Sequence, residues 1–247
     1  MILNDFDNWV EIPDGQVTLA EGGYLSQSIV FDVEPFAIGR YPVTNAQYGR
    51  FIEAAGYTNR AWWTSEGWAL REKEGWSEPR FWRDRDWNRR DCPVVGVSWY
   101  EALAFCRWLG ELSGRVITLP TEQQWQRAAQ GDDGRQYPWG NEEPDESLCN
   151  WNRNIDETTP VMRYPAGASP YGVMDMCGNV WEWCLTGWDS GTTALTGSEA
   201  RLLRGGSWSS DSPLSLRVTN RSGKDPNTRL APGYRNHVTV GFRCARF

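Results

Sequence analysis

Apolar and polar positions along this chain change period several times, and each change predicts an element. From Trp9 to Ala37, short alternating apolar runs are broken by Pro13-Asp-Gly15 and Gly22-Gly23, the pattern of strands joined by turns. Tyr48, Phe51, Ile52 and Ala55 then recur at helical spacing, with Thr44 as N-cap and Gly56 as stop. A second helix is predicted where Ser98 and Glu101 form a capping box ahead of Ala102, Phe105, Trp108, Leu109 and Leu112, closed by Gly114. Thr121 and Gln124 repeat the box for a third helix that turns Trp125, Ala128 and Ala129 inward and stops at Gly131. Between the first two helices, residues 61–90 hold Trp62, Trp63, Trp68, Trp76, Trp82 and Trp87 among many charges, without clear period. So much indole does not stay in water, which favours a packed loop over a lid. From residue 142 onward turns dominate, with strand signals only around 180–185, 201–203 and 238–244.

Composition narrows the functional classes. The 247 residues show no Pro/Ser/Gly linker or low-complexity run, so a single domain over 1–247 is expected. No apolar run is long enough to span a membrane, and Met1–Asn8 lacks the basic start and apolar core of a signal peptide, so a cytoplasmic protein without membrane contacts is expected. Six cysteines without a C-x-x-C pair favour neither a zinc site nor a dense disulfide framework. A net charge of −7 argues against general nucleic-acid binding, although residues 201–247 alone carry +7. That asymmetry fits arginines paired with acids of the same domain better than an anion-binding face. His237 is the only histidine, so a Ser-His-Asp or Cys-His site would have to use it, and it reads more simply as a solvent-facing loop residue. Neither G-x-x-x-x-G-K nor G-x-G-x-x-G is present to cradle a phosphate.

The most specific stretches are Asp175-Met-Cys-Gly-Asn-Val-Trp-Glu-Trp183, Leu203-Arg-Gly-Gly-Ser-Trp208 and Gly241-Phe-Arg-Cys-Ala245. With P-V-T-N-A-Q-Y, P-V-V-G-V-S-W-Y-E-A, L-P-T-E-Q-Q-W and Y-P-W-G-N, they resemble the formylglycine-generating-enzyme-like, or sulfatase-modifying-factor, family over nearly the whole chain from Trp9. The resemblance implies an α+β domain of the C-type lectin type with few helices, short strands and much irregular loop. In the family's copper-dependent oxidases two cysteines follow the R-G-G-S-aromatic motif; here those places are Ser210 and Ser215. A serine hydroxyl is far less acidic than a thiol and a poor ligand for soft copper(I), so no copper is expected. Another branch binds iron through histidines and a carboxylate, and one histidine does not build that triad, so no iron is expected. The resemblance also implies structural calcium through Asp175, Gly178, Val180 and Glu182, with a second site beginning at Asn150 and Trp151 and a carboxylate guessed at Asp156. Alternatively Asp175 and Glu182 pair with arginines such as Arg204 or Arg243. Cys106 and Cys244 resemble partners of a disulfide in secreted members, while the other bridge is ruled out by Ala129.

One branch of this fold is the variable protein of diversity-generating retroelements, whose mutagenised AAC codons never yield Glu, Gln, Lys, Met or Trp. Between Ser209 and Val240 this chain has no Glu, Gln, Met or Trp and one Lys. At the composition of the remainder about seven of those first four types would be expected. Selection for turn formers gives a similar bias, so the plain-loop reading stays open. Taking Arg217, Arg221, Arg235 and Gly241-Phe-Arg243 as anchors, the exposed contact residues are expected to be Ser209, Ser210, Asp211, Thr219, Asn220, Ser222, Asn227, Tyr234, Asn236, His237 and Thr239. The expectation is a non-catalytic protein whose variable region, about 204–247, binds a protein or other macromolecular ligand. The alternatives are a family enzyme with a relocated oxidoreductase site and an accessory interaction module.

Overall fold

The computed structural model describes residues 6–224 and 239–247. In chain order the strands are β1 (Trp9–Ile12), β2 (Gly15–Leu19), β3 (Ile29–Val33), β4 (Phe36–Gly39), β5 (Ile117–Thr118), β6 (Trp181–Gly187), β7 (Arg201–Arg204), β8 (Arg221–Lys224), β9 (Val240–Gly241) and β10 (Ala245–Arg246). The helices are α1 (Asn45–Glu53), α2 (Ser65–Glu74), α3 (Trp99–Ser113) and α4 (Glu122–Gln130). One sheet runs β1-β4-β10-β5, a hairpin pairs β2 with β3, and a second sheet runs β8-β7-β6-β9. The C-terminal segment thus contributes to both larger sheets, pairing β9 parallel to β6 and then β10 between β4 and β5. This is the expected α+β arrangement of short strands and long loops.

The capping boxes do what their spacing requires. Thr44, Ser98 and Thr121 each accept from the third helical amide, and Gln47, Glu101 and Gln124 return the bond to the cap backbone. Gly114, at φ 67°, ends α3 as expected, whereas α1 stops earlier than Gly56 because Ala55 itself takes the left-handed conformation at φ 62°. Gly56 serves packing instead: a Cβ there would lie 2.5 Å from the Phe51 ring. Leu112, expected on the buried face of α3, is 39% exposed at its last turn.

The tryptophan-rich insert contains a helix that its sequence pattern does not announce. α2 has Thr64 as N-cap, Gly75 in the left-handed C-cap, and Gly67 as its only buried residue, so it carries no apolar stripe for a period search to detect. The indoles around it pack inward as expected. Trp62, Trp63 and Trp76 are buried, and the indole N–H groups of Trp62 and Trp63 donate to Glu111 Oε2 at 2.6 Å and Gly56 O at 2.8 Å. The core between α1 and α3 is aromatic, with Tyr48 stacked on Phe105 at 5.5 Å and Phe242 edge-on to Phe105 at 5.4 Å.

Cys106 on α3 and Cys244 before β10 are both buried with their sulfurs 3.6 Å apart. A mild oxidant is expected to join them with little backbone movement, and the cross-link to raise the melting temperature, by up to about 4–5 kcal/mol on chain-entropy grounds. Thiol counting and thermal melts of the parent and a Cys106→Ala variant check this.

Candidate functional site

The turn from Asp175 to Glu182 takes an unusual backbone path. Asp175, Gly178 and Asn179 take φ of 54°, 80° and 61°. At Gly178 a Cβ would sit 2.4 Å from Asn150 O, so only glycine fits. Asn179, which the sequence reading overlooked, binds the turn together. Its amide donates to Asn150 O at 2.8 Å and its side-chain Nδ2 to Asp175 Oδ2 at 2.8 Å and Thr159 O at 3.1 Å, while its Oδ1 accepts from Thr159 N at 3.0 Å. The turn delivers Glu182 into the core beneath Arg243. The Arg243 Nε and Nη2 donate to the two Glu182 oxygens at 2.7 and 2.6 Å, and Trp125 Nε1 adds a bond of 2.7 Å to Oε2.

That geometry does not fit calcium at the first expected site. Both Glu182 oxygens face a guanidinium, so a dication within ligand distance would meet a like charge across the same carboxylate. At the second, the Asn150 carbonyl accepts from Asn179 N and the Trp151 carbonyl from Asn154 N at 3.0 Å, while Asp156, at φ 60°, lies 3.8 Å from Arg153. Of the ion-pair alternative the structure contains the Glu182 half: Arg243 takes Glu182, whereas Arg204 takes Glu122 and Asp175 makes no ion pair among the described residues. Asp175 stands apart, fully buried, with its carboxyl pushed up to about 7 by loss of solvent and only partly restrained by Asn179 and Arg243.

The two places that hold cysteine in the copper oxidases come close together. A Cβ on Gly206, which sits at φ 72°, would lie 2.9 Å from Ser215 O and 3.3 Å from Ser210 Oγ, so both serines crowd one glycine. Ser210 Oγ accepts from Ser207 N at 3.0 Å, and Ser210 O from Asn152 N at 2.8 Å, which makes this a hydrogen-bonded turn. Trp208 beside it is buried and stacks on Trp87 of the insert at 5.7 Å.

The expected contact residues divide into three groups. Asp211 is exposed, and Ser209, Ser210, Thr219, Asn220 and Ser222 are half-buried on the loops around β7 and β8. Asn220 nevertheless has a framework bond, from Nδ2 to Ser215 O at 3.0 Å. Thr239 is a correction: it is only 5% exposed, because its carbonyl accepts from Trp181 N at 2.7 Å and holds the segment against β6. Asn227, Tyr234, Asn236 and His237 lie outside the described residues, as does the anchor Arg235. Of the anchors, Arg221 donates to Gly22 O at 2.6 Å and Arg243 to Glu182.

The sulfatase-modifying factor enzyme 1-like domain matches residues 3–247. The chain belongs to that family. Among curated relatives, hercynine oxygenase of Mycobacterium tuberculosis is 36% identical over 87% of this chain, and that of Mycolicibacterium smegmatis 36% over 81%. The chain spans about half the length of these relatives, 53% and 52%. Inactive C-alpha-formylglycine-generating enzyme 2 of Mus musculus is 32% identical, with 86% of this chain and 75% of the relative covered. Two solved structures share the fold: PvdO from Pseudomonas aeruginosa (TM-score 0.72, 22% identity, 96% and 93% of the chains) and Treponema denticola variable protein 1 (0.70, 21%, 96% and 94%). The expectation that this family member is not an enzyme is overturned by the hercynine oxygenases, which are enzymes by name and align with most of the chain. One fold hosts more than one chemistry. Among the described residues, no helix is long and apolar enough to cross a membrane.

Glu182→Gln is expected to destabilise the fold by about 3–5 kcal/mol, because it strands the buried Arg243 charge, as denaturant titration will read. Asp175 gives a pH signature. Its folded pKa of about 7 lies above the unfolded value near 3.9, so the folded state holds more protons between those limits and stability falls as pH rises through that window. Asp175→Asn keeps the bond from Asn179 and tolerates the left-handed backbone. Its stability relative to the parent is expected to rise from pH 4 to pH 7 and then level off, by at most about 4 kcal/mol.

Proposed function

We propose that this chain is the substrate-recognition part of an oxygen-using enzyme related to the hercynine oxygenases, with the redox group held by residues outside this sequence. The observation that carries the reading is the uneven coverage: 36% identity across 87% of this chain but only 53% of the relative. Dioxygen chemistry draws on a redox metal or organic cofactor. The donors here are a poor fit for one, with a single histidine, serines at 210 and 215, and six buried cysteines. Burial pushes the Cys92 thiol up to about 11 and raises Cys106, Cys177 and Cys184 further, away from the thiolates that ligate metals. What the fold supplies is a rigid frame to hold and orient a small substrate, which alone lowers a barrier by removing translational and rotational freedom. Calorimetry with hercynine is expected to give saturable one-to-one binding, in the roughly micromolar to millimolar range usual for enzyme substrates. No heat, together with an unchanged melting temperature at saturating ligand, overturns the reading.

A second reading is favoured by the lack of Glu, Gln, Met and Trp over 209–240. On it, the loops around β7 and β8 form a diversified surface for a protein or other macromolecular ligand, a use for which the fold of the Treponema variable protein is a precedent in architecture. A reverse transcriptase and a near-copy of the last coding segment beside the gene would support it. Asp211→Ala, Thr219→Ala and Ser222→Ala are expected to change stability by about 0.5 kcal/mol or less each, with any ligand lost. Sharp destabilisation in thermal melts would instead make these residues framework.

A further inference from the structure

The tryptophan-rich insert, residues 61–90, is the feature that neither reading above uses. Burial alone asks for apolar volume, which leucine and phenylalanine supply without a polar hydrogen to place. Tryptophan and tyrosine differ from them in a second respect, because their rings give up one electron to a strong oxidant. Where such rings follow one another in close contact, they form a path for electrons as well as a core.

Three indoles of the insert complete such a series with Tyr48 and Tyr57. Trp82, half-buried, lines a recess of about 240 Å3 together with Asn88 and Arg90. Its ring centroid lies 6.2 Å from that of Tyr48 on α1. The Tyr48 and Tyr57 hydroxyls are 3.1 Å apart, the Tyr57 ring is 5.6 Å from Trp63, and the Trp63 ring is 6.4 Å from Trp68. Tyr48, Tyr57 and Trp63 are buried, whereas Trp68 on α2 is half-buried. The series therefore begins and ends on partly exposed rings and crosses the core between them.

The middle of the series has a place for a proton. Tyr57 Oη donates to Glu101 Oε1 at 2.5 Å, within the range for a hydroxyl on a carboxylate. Tyr57 has no second proton, so at its contact with Tyr48 it is the acceptor. Glu101 is fully buried and held still, because its Oε2 accepts from Ser98 N at 2.8 Å in the capping box of α3. An oxidised phenol is a strong acid, so loss of the electron drives the proton along this bond and leaves no positive charge in the core. The indoles lack that outlet. Trp63 Nε1 donates to the Gly56 carbonyl at 2.8 Å, a poor base, and the Arg71 guanidinium stands 5.1 Å over Trp68, where it opposes a positive ring. Both arguments place the missing electron on Tyr57.

We propose that Trp82, Tyr48, Tyr57, Trp63 and Trp68 form an electron relay, which draws oxidising equivalents away from the recess beside α1 and holds them on Tyr57. The oxidant is of the oxygen-centred radical class and is reduced by one electron, with a proton taken from solvent. That electron leaves Tyr57 through Tyr48 and Trp82, the Tyr57 O–H bond breaks, its proton binds Glu101 Oε1, and a neutral phenoxyl radical remains. A reductant of the enediol class at Trp68, giving one electron and releasing a proton to solvent, refills Tyr57 through Trp63 while the Glu101 proton returns. The relay is an electron path and involves no bound substrate, so it stands apart from both readings above.

The test uses the full chain with Arg90→Cys carrying a ruthenium(II) polypyridyl; the six native cysteines are buried, so the label goes to position 90. A flash with a cobalt(III) ammine as electron acceptor turns the label into a ruthenium(III) oxidant beside Trp82. A neutral tyrosyl radical is expected by transient absorption and by freeze-quench electron paramagnetic resonance. Its formation is expected to slow at least twofold in heavy water, because a proton moves with the electron. Tyr57→Phe, which keeps the ring, is expected to lower the tyrosyl yield at least tenfold, and Trp82→Phe to do the same from the entry end. Trp63→Phe is expected to keep the yield and to slow the decay with ascorbate at least tenfold. The proposal is overturned if the labelled parent gives no tyrosyl radical, or if the yield survives Tyr57→Phe or, should that variant not fold, Trp82→Phe. Equal rates in light and heavy water, or an ascorbate decay unchanged by Trp63→Phe, would overturn it as well.

Discussion

The ion pair between Arg243 and Glu182 is the interaction on which the rest of this structure rests. Both side chains are completely buried, and the guanidinium also donates to Met174 O at 2.8 Å and Gly39 O at 2.9 Å. One side chain near the C terminus therefore joins the end of β4, the loop before the Asp175 turn and the start of β6. Burying two charges is costly, and the arrangement is stable only because the geometry is bidentate and the remaining donors find carbonyls. A second buried pair, Arg204 with Glu122, repeats the solution beneath β7, where Gln126 Oε1 accepts a further bond at 2.6 Å. Arg201 is handled differently, lying 4.1 Å over the Trp99 ring and donating to Leu185 O at 2.9 Å.

These internal cations account for the charge asymmetry of the C-terminal region. Among the described residues Arg201, Arg204, Arg221 and Arg243 spend their charge on carboxylates and carbonyls inside the molecule. The same accounting explains why the motif that suggests calcium gives an ion pair here. A carboxylate that already receives two guanidinium bonds and an indole N–H has little reason to attract a dication.

The surfaces proposed for function are held by this interior. The loops around β7 and β8 hang from buried arginines, and their serines and Asn220 partly serve the turn itself, which limits how freely they vary. The series of rings from Trp82 to Trp68 runs through the aromatic core at α1, where close packing fixes its ring separations.

The sequence by itself determined the local structure wherever a cap and an apolar stripe agree. Thr44, Ser98 and Thr121 open their helices because a hydroxyl three residues before a glutamine or glutamate satisfies orphan amides whatever the tertiary context. The glycine-rich turns and the family were legible for the same reason, since Gly178 and Gly206 occupy backbone conformations and spaces that admit no Cβ. α2 was hidden because the side chains it packs on the core, Trp68 and Leu70, are two residues apart rather than at helical spacing, and β8 because Arg-Ser-Gly-Lys has no strand period of its own. Which arginine meets Glu182, that Thr239 is buried, and that Tyr57 meets Glu101 were decided only by the tertiary structure. Such pairings join residues far apart, 204 positions for Arg243 and Gly39 and 235 for Arg246 and Glu11, and electrostatics at that separation is set by where the chain folds back.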